Sequence, residues 1–192
     1  MKRVVCILTA LALVVLAGCG KQDGKDGSAD QAPGGEVQRR VAESPLLRAY
    51  PLDVMDGVIT QTGVAIDRRN SADGRGSLMI STESPVTVRL FETGEIDIEN
   101  ARIIYRAKLR TADVTGNVYL EMWCSFPGMG EAFSRALQSP LTGTTEWTSQ
   151  ETPFFLKPGE NPDNIRLNVV IEGRGRVWID DIRLEKGPPG SI

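Results

Sequence analysis

The chain has 192 residues, with 22 Lys and Arg against 25 Asp and Glu, no His and 3 Cys. The missing histidine removes the commonest general base and the commonest zinc or copper ligand. The slight acidity argues against nucleic acid as a partner, since phosphate binding needs clustered basic residues, and the 20 Gly and 11 Pro predict many turns and no long helical bundle.

In chain order, Met1, Lys2 and Arg3 give a short basic start. Val4 to Ala17 is a nearly unbroken apolar run with the length of a signal h-region, too short to span a bilayer comfortably. Leu16-Ala17-Gly18-Cys19 resembles the lipobox of bacterial prolipoproteins, in which the cysteine thiol is acylated and the chain is cut on its N-terminal side. That resemblance implies a signal peptide over 1–18, lipid such as palmitate on Cys19, and a membrane-anchored mature chain about five charges negative. Two or three acyl chains, each buried methylene worth roughly 0.8 kcal/mol, make such an anchor effectively permanent. Gly20 after the cysteine, in place of Asp, resembles the outer-membrane class of Gram-negative lipoproteins. Cys6 falls in the apolar run, so Cys124 has no partner for a disulfide.

Residues 19–44 are rich in Gly, Asp, Lys, Gln and Ser with almost nothing apolar before Val37, so they cannot offset the entropy of ordering and read as a flexible leash. At roughly 5–6 Å times the square root of its length, such a leash holds a domain about 25–30 Å from the membrane. Residues 188–192 read as a disordered tail.

Between them, 45–187 read as a single all-β domain. Val86, Val88 and Leu90 alternate with Thr87, Arg89 and Phe91. Ile103, Tyr105, Ala107 and Leu109 alternate with polar residues, as do Val118, Leu120, Met122 and Cys124 with Tyr119, Glu121, Trp123 and Ser125, and Ile165, Leu167, Val169 and Ile171 with Arg166, Asn168 and Val170. This period of two is that of half-buried strands. Turn chemistry separates the runs at 71–74, 115–117, 127–128, 158–159 and 173–175. The segment Pro127 to Thr145 reads as a loop suited to specificity, in which Glu131 to Leu137 reads equally as a strand. In the last run Val177 and Ile179 share one phase and Ile182 and Leu184 the other, which predicts a β-bulge near Asp180-Asp181. Regular strand and turn spacing predicts an antiparallel β-sandwich.

Three stretches then resemble the carbohydrate-binding-module-like, galactose-binding-like jelly rolls: Gly74-Arg75-Gly76-Ser77-Leu78-Met79-Ile80, Gly143-Thr144-Thr145-Glu146-Trp147 before Phe154-Phe155-Leu156, and the closing Gly175-Arg176-Val177-Trp178-Ile179-Asp180-Asp181-Ile182-Arg183-Leu184. The resemblance spans 50–187 and implies an antiparallel jelly roll that often grips glycans. It also implies a structural calcium held partly by Asp180 or Asp181, with Asp53 or Asp56 as further ligands.

A sugar site needs aromatic surface beside amides, carboxylates or guanidinium groups. Tyr119, Glu121 and Trp123 share one strand face, and Arg106, Arg166 and Asn168 complete the set if neighbouring strands present them to the same side. Trp147, Trp178 and Cys124 read as core. For catalysis, Glu121 with Asp180 is the nearest carboxylate pair, but without a histidine or a G-x-S-x-G elbow no enzyme is expected. The sequence thus predicts a non-catalytic, membrane-anchored lipoprotein of the cell envelope that binds carbohydrate or another envelope polymer. The other reading is a structural or protein-interaction component of an envelope assembly with no glycan site.

Overall fold

The computed structural model describes residues 44–189. The signal, Cys19 and nearly all of the leash, together with 190–192 of the tail, lie outside the described residues. Among the described residues all regular structure is β: β1 (Leu46–Tyr50), β2 (Val64–Asp67), β3 (Ser77–Thr82), β4 (Val86–Gly94), β5 (Ala101–Phe126), β6 (Gly130–Arg135), β7 (Leu141–Leu156), β8 (Asn164–Ile171) and β9 (Gly175–Gly187). The open segment 131–137 is therefore a strand over most of its length. No helix among these residues is long and apolar enough to cross a membrane.

Every pairing is antiparallel. One layer runs β2-β3-β9 into the first half of β5, whose other side takes β7, while β1 lies beside the far end of β9. The other layer runs β4-β8 into the second half of β5, whose other side takes β6. The sheet is thus curled over on itself through β5, giving the sandwich and jelly-roll architecture that the alternation predicts.

β5 is 26 residues long, several times the usual strand, because it crosses from one layer to the other. Thr115-Gly116-Asn117, whose composition predicts a reversal, instead forms a bend inside one strand. Asp113 and Gly116 take φ of 56° and 89° there, and the register with β7 slips between Leu109 and Val118. The bend closes onto the β8–β9 turn, where Thr115 N donates to Arg174 O at 2.9 Å and Glu172 N to Asn117 O at 2.8 Å. Glycine is obligatory at this approach: a Cβ on Gly116 would lie 2.4 Å from Glu172 O, and one on Gly173 would lie 1.5 Å from Thr115 O.

Because successive side chains point to opposite faces, Ile103, Tyr105, Ala107 and Leu109 face inward from one layer, and Val118, Leu120, Met122 and Cys124 face inward from the other. β8 adds Ile165, Leu167, Val169 and Ile171. β9 keeps Val177, Ile179, Ile182 and Leu184 all fully buried by the predicted bulge: Lys108 pairs with Asp180 but Arg106 with Arg183, and Asp181 takes φ of 47°. Burial pushes the Cys124 thiol up to about 12, so it packs as a small apolar group. Trp178 is buried, but on the outward side of its layer, where its indole donates to Asp67 Oδ2 at 2.9 Å between Arg110 and Arg176. Trp147 is only partly buried, and of the two phenylalanines on β7 Phe154 packs on the core while Phe155 is exposed.

Candidate functional site

The outward surface of the β4-β8-β5-β6 layer carries cross-strand rows of polar and aromatic side chains. Arg89, Asn168, Glu121 and Arg135 follow one another across the four strands, and Glu92, Arg166, Trp123 and Phe133 form the next row. Side chains directly opposite on one face lie about 5 Å apart and interact. A trough of about 310 Å³ opens among Thr87, Arg89, Glu121, Trp123, Arg166 and Asn168. A second hollow, of about 370 Å³, adjoins it at Thr87 and extends along β4 and β8 to Val170 and Glu172. From Arg166 to Glu172 the strand rise of roughly 3.3 Å per residue makes this surface about 20 Å long.

The polar groups on the floor are locked together. Glu121, on the interior stretch of β5, is buried, and its carboxylate accepts from Asn168 Nδ2 at 3.0 Å and from Arg135 Nε at 2.7 Å. Burial opposes the charge on Glu121, but the bonds from Asn168, the Trp123 indole and Arg135 outweigh it and hold the carboxyl below its ordinary range. Arg166 donates to Glu131 Oε2 at 2.8 Å and lies 5.5 Å over the Trp123 ring. Phe133, 50% exposed, packs 4.9 Å from Trp123 with the Arg135 guanidinium over its own ring. Trp123 is therefore packed against both Arg166 and Phe133, and it lines the trough as its aromatic wall. Arg89 is paired with Glu92. Each of these three arginines thus has a carboxylate partner, and the surface carries no uncompensated cluster of charge.

Of the six residues the sequence assigns to binding, the structure brings Glu121, Trp123, Arg166 and Asn168 together. Tyr119 shares their strand face, but it is only 4% exposed, packed into the core cluster, and its hydroxyl is committed to Glu172 at 2.9 Å. Arg106 requires a correction. It lies on the first half of β5, in the other layer, where it binds Glu151 at 2.6 Å and faces Glu185 at 3.7 Å. There it lines a separate cleft with Lys108, Asp181 and Arg183. Period-two reading cannot distinguish the two layers when one strand serves both. Thr87, Arg89, Phe133 and Arg135 join the surface without having been singled out for it; Thr87 and Arg89 are the outward phase of β4, and Phe133 and Arg135 belong to the segment read as a specificity loop.

Asp180 is fully buried and bonded to the backbone around it. Its Oδ2 accepts from Ala72 N at 2.8 Å and Ser71 Oγ at 3.2 Å, and its Oδ1 from Asp181 N at 2.7 Å. A backbone N–H thus bonds each carboxylate oxygen, bracing the 71–75 turn against β9. Burial, opposed by these bonds, leaves the Asp180 carboxyl above its ordinary range. Asp181 turns to Arg183 at 2.9 Å, Asp53 Oδ2 faces Arg75 at 3.5 Å, and Asp56 is exposed. No group of three or more His, Cys, Asp or Glu among the described residues is placed to hold a metal ion. Glu121 and Asp180 also lie in opposite layers, so they do not form a carboxylate pair across one bond.

No family profile matches the sequence, and no curated protein matches it. Similarity appears at the level of the fold. The chain superposes with a TM-score of 0.56 and 9% identity on the CBM22-1 xylan-binding domain of Paenibacillus barcinonensis Xyn10C, covering 77% of this chain and 97% of that one. It superposes with a TM-score of 0.57 and 12% identity on the CBM22-1-GH10 modules of Clostridium thermocellum Xyn10B complexed with xylohexaose, covering 74% of this chain and 29% of that one. A family 16 carbohydrate-binding module matches with a TM-score of 0.50 and 15% identity over 68% of this chain and 91% of that one. The chain therefore has the β-sandwich fold of carbohydrate-binding modules.

Proposed function

We propose that this chain is a non-catalytic, lipid-anchored binding protein of the bacterial envelope, whose sandwich takes a polysaccharide chain along the trough on the β4-β8-β5-β6 surface. The observation that carries the reading is the trough itself. An aromatic wall, Trp123, stands beside a buried amide and three arginines, each paired with a carboxylate. Apolar surface supplies contact to the C–H faces of sugars, and pre-positioned polar groups orient their hydroxyls. Neighbours of the same fold that carry xylan-binding names support a polysaccharide as the ligand class. The lipobox at Leu16–Cys19 supports the anchor, and the long polar leash supports presentation of the domain away from the membrane surface.

Affinity electrophoresis of the full chain through gels containing soluble xylan, β-glucan or mannan tests the binding. Retardation by at least one polysaccharide is expected, with Trp123→Ala relieving it by about tenfold in affinity. Retardation that Trp123→Ala leaves intact would overturn the trough. Passage through every gel without retardation would favour a structural or protein-interaction role. For the anchor, Cys19→Ser is expected to move the protein from the membrane pellet to the soluble fraction.

A further inference from the structure

One group in the trough has incomplete hydrogen bonding. Asn168 is 6% exposed, its Nδ2 donates to Glu121 Oε1 at 3.0 Å, and its Oδ1 is buried without a donor. Among the described residues three other buried side-chain atoms share that condition, Asp53 Oδ1, Arg102 Nε and Tyr105 Oη, and none of them belongs to a residue lining the trough. Turning the amide end for end does not help. It would set Oδ1 against a carboxylate, and two acceptors repel. Glu121 is in turn fixed by Arg135, so the direction of Oδ1 is set two residues deep.

Nearby cations do not complete the bond. Arg89 lies directly across from Asn168 in the register but is committed to Glu92, and Arg166 is committed to Glu131. The site therefore lacks one hydrogen-bond donor while its formal charges are balanced. A phosphate oxygen or a carboxylate placed there would bring a further acceptor to an acceptor, whereas a sugar hydroxyl brings the missing hydrogen. Arg89, directly across from Asn168, is half-exposed and held by a single surface carboxylate, a pairing weak enough for a ligand hydroxyl to displace.

Building on the reading of the trough as a glycan site, we infer that Asn168 Oδ1 is its specificity-determining acceptor. It takes the hydrogen of a free sugar hydroxyl and rejects a unit in which that hydroxyl is methylated, acetylated or missing. Sites with a buried partner for a ligand hydroxyl discriminate strongly against analogues that lack it, because the partner is then left unpaired.

The test is calorimetric titration of the detergent-solubilised full chain with xylohexaose, cellohexaose and mannohexaose, then with mono-O-methyl derivatives of whichever binds. One ring position is expected at which methylation weakens wild-type binding by about tenfold or more but leaves the affinity of Asn168→Leu unchanged. Asn168→Leu is itself expected to weaken the unmodified hexaose by a similar factor. Equal affinity of Asn168→Leu and wild type for the unmodified hexaose, with Trp123→Ala abolishing binding, would overturn the role of Asn168 and leave the trough standing. If Asn168→Leu does not fold, the wild-type methyl series decides alone, and the absence of any sensitive position overturns the inference. No binding of any hexaose to wild type overturns both readings together.

Discussion

The Ser134 hydroxyl lies 2.6 Å from that of Thr152 and 2.6 Å from Pro153 O, joining β6 of one layer to β7 of the other. Ser134 has one hydrogen and gives it to Pro153 O, so Thr152 is the donor between the two hydroxyls. Thr152 is fully buried, and Gln150, two residues earlier on β7, reaches across in the same way to accept Leu120 N at 2.8 Å. On this side the sandwich is closed by hydrogen bonds where apolar contact alone would leave polar groups unmet.

Ser134→Ala is accordingly expected to destabilise the domain by about 1–2 kcal/mol, since it strands a buried hydroxyl and a carbonyl. That is about 3–6 °C in Tm for a domain of this size. The double variant Ser134→Ala with Thr152→Val removes both hydroxyls and should recover part of the loss. A thermal-melt double-mutant cycle reads the coupling directly.

Two arginines should respond very differently to truncation. Arg135 neutralises a Glu121 carboxylate whose side chain is 5% exposed, so Arg135→Leu leaves a buried charge held by Asn168 and is expected to cost about 2 kcal/mol. Arg75, itself largely exposed, bridges Asp53 and Asp73 at the surface, and Arg75→Ala should stay within about 0.5 kcal/mol. Urea unfolding of both variants gives the comparison.

Tyr105 is wholly buried between the layers, its hydroxyl has no partner, and burial pushes its pKa above the ordinary phenol range. Tyr105→Phe keeps the ring and removes an unpaired polar group. It should leave stability unchanged or raise it by about 1 kcal/mol. A Tm below that of wild type would mean that the hydroxyl is satisfied in solution.

Bonds from Asn70, Trp178 and Arg69 hold the Asp67 carboxyl down at about 2, against 3.8 for the free group. Because the folded value is the lower one, ionised Asp67 stabilises the fold, fully so above a pH of about 4 and progressively less as the pH falls through about 2. The Tm difference between wild type and Asp67→Asn should therefore be constant from neutral pH to about 4.5 and narrow below it. A difference independent of pH down to about 2 would show that Asp67 acts through its shape alone.

The strands were legible in the sequence because each buries one face, and the phase reversal between Ile179 and Ile182 even located the bulge at Asp181. The continuity of β5 was not legible. Asp113, Gly116 and Asn117 are turn-forming types, and only the close approach of Gly173 to Thr115 decides that they bend a strand and do not end it. The same gap misplaced Arg106, because alternation assigns a side chain to a face but not to a layer. Tyr119 has the outward phase and yet is buried, since the chain after β6 continues beside β5, with Ala136 N donating to Leu120 O. Glu121, Trp123, Arg166 and Asn168 were recoverable because their strands are direct neighbours and share one phase.

The first strand pairs with the last: Leu46 lies opposite Glu185 and Tyr50 opposite Ile182. A chain emerging N-terminus first from a ribosome therefore carries an orphan strand until β9 arrives. Sandwiches built on such distant pairings fold in about milliseconds to seconds, far behind helical bundles. Closure of this layer is thus timed by the strand made last, which β1 and β5 both need as a neighbour.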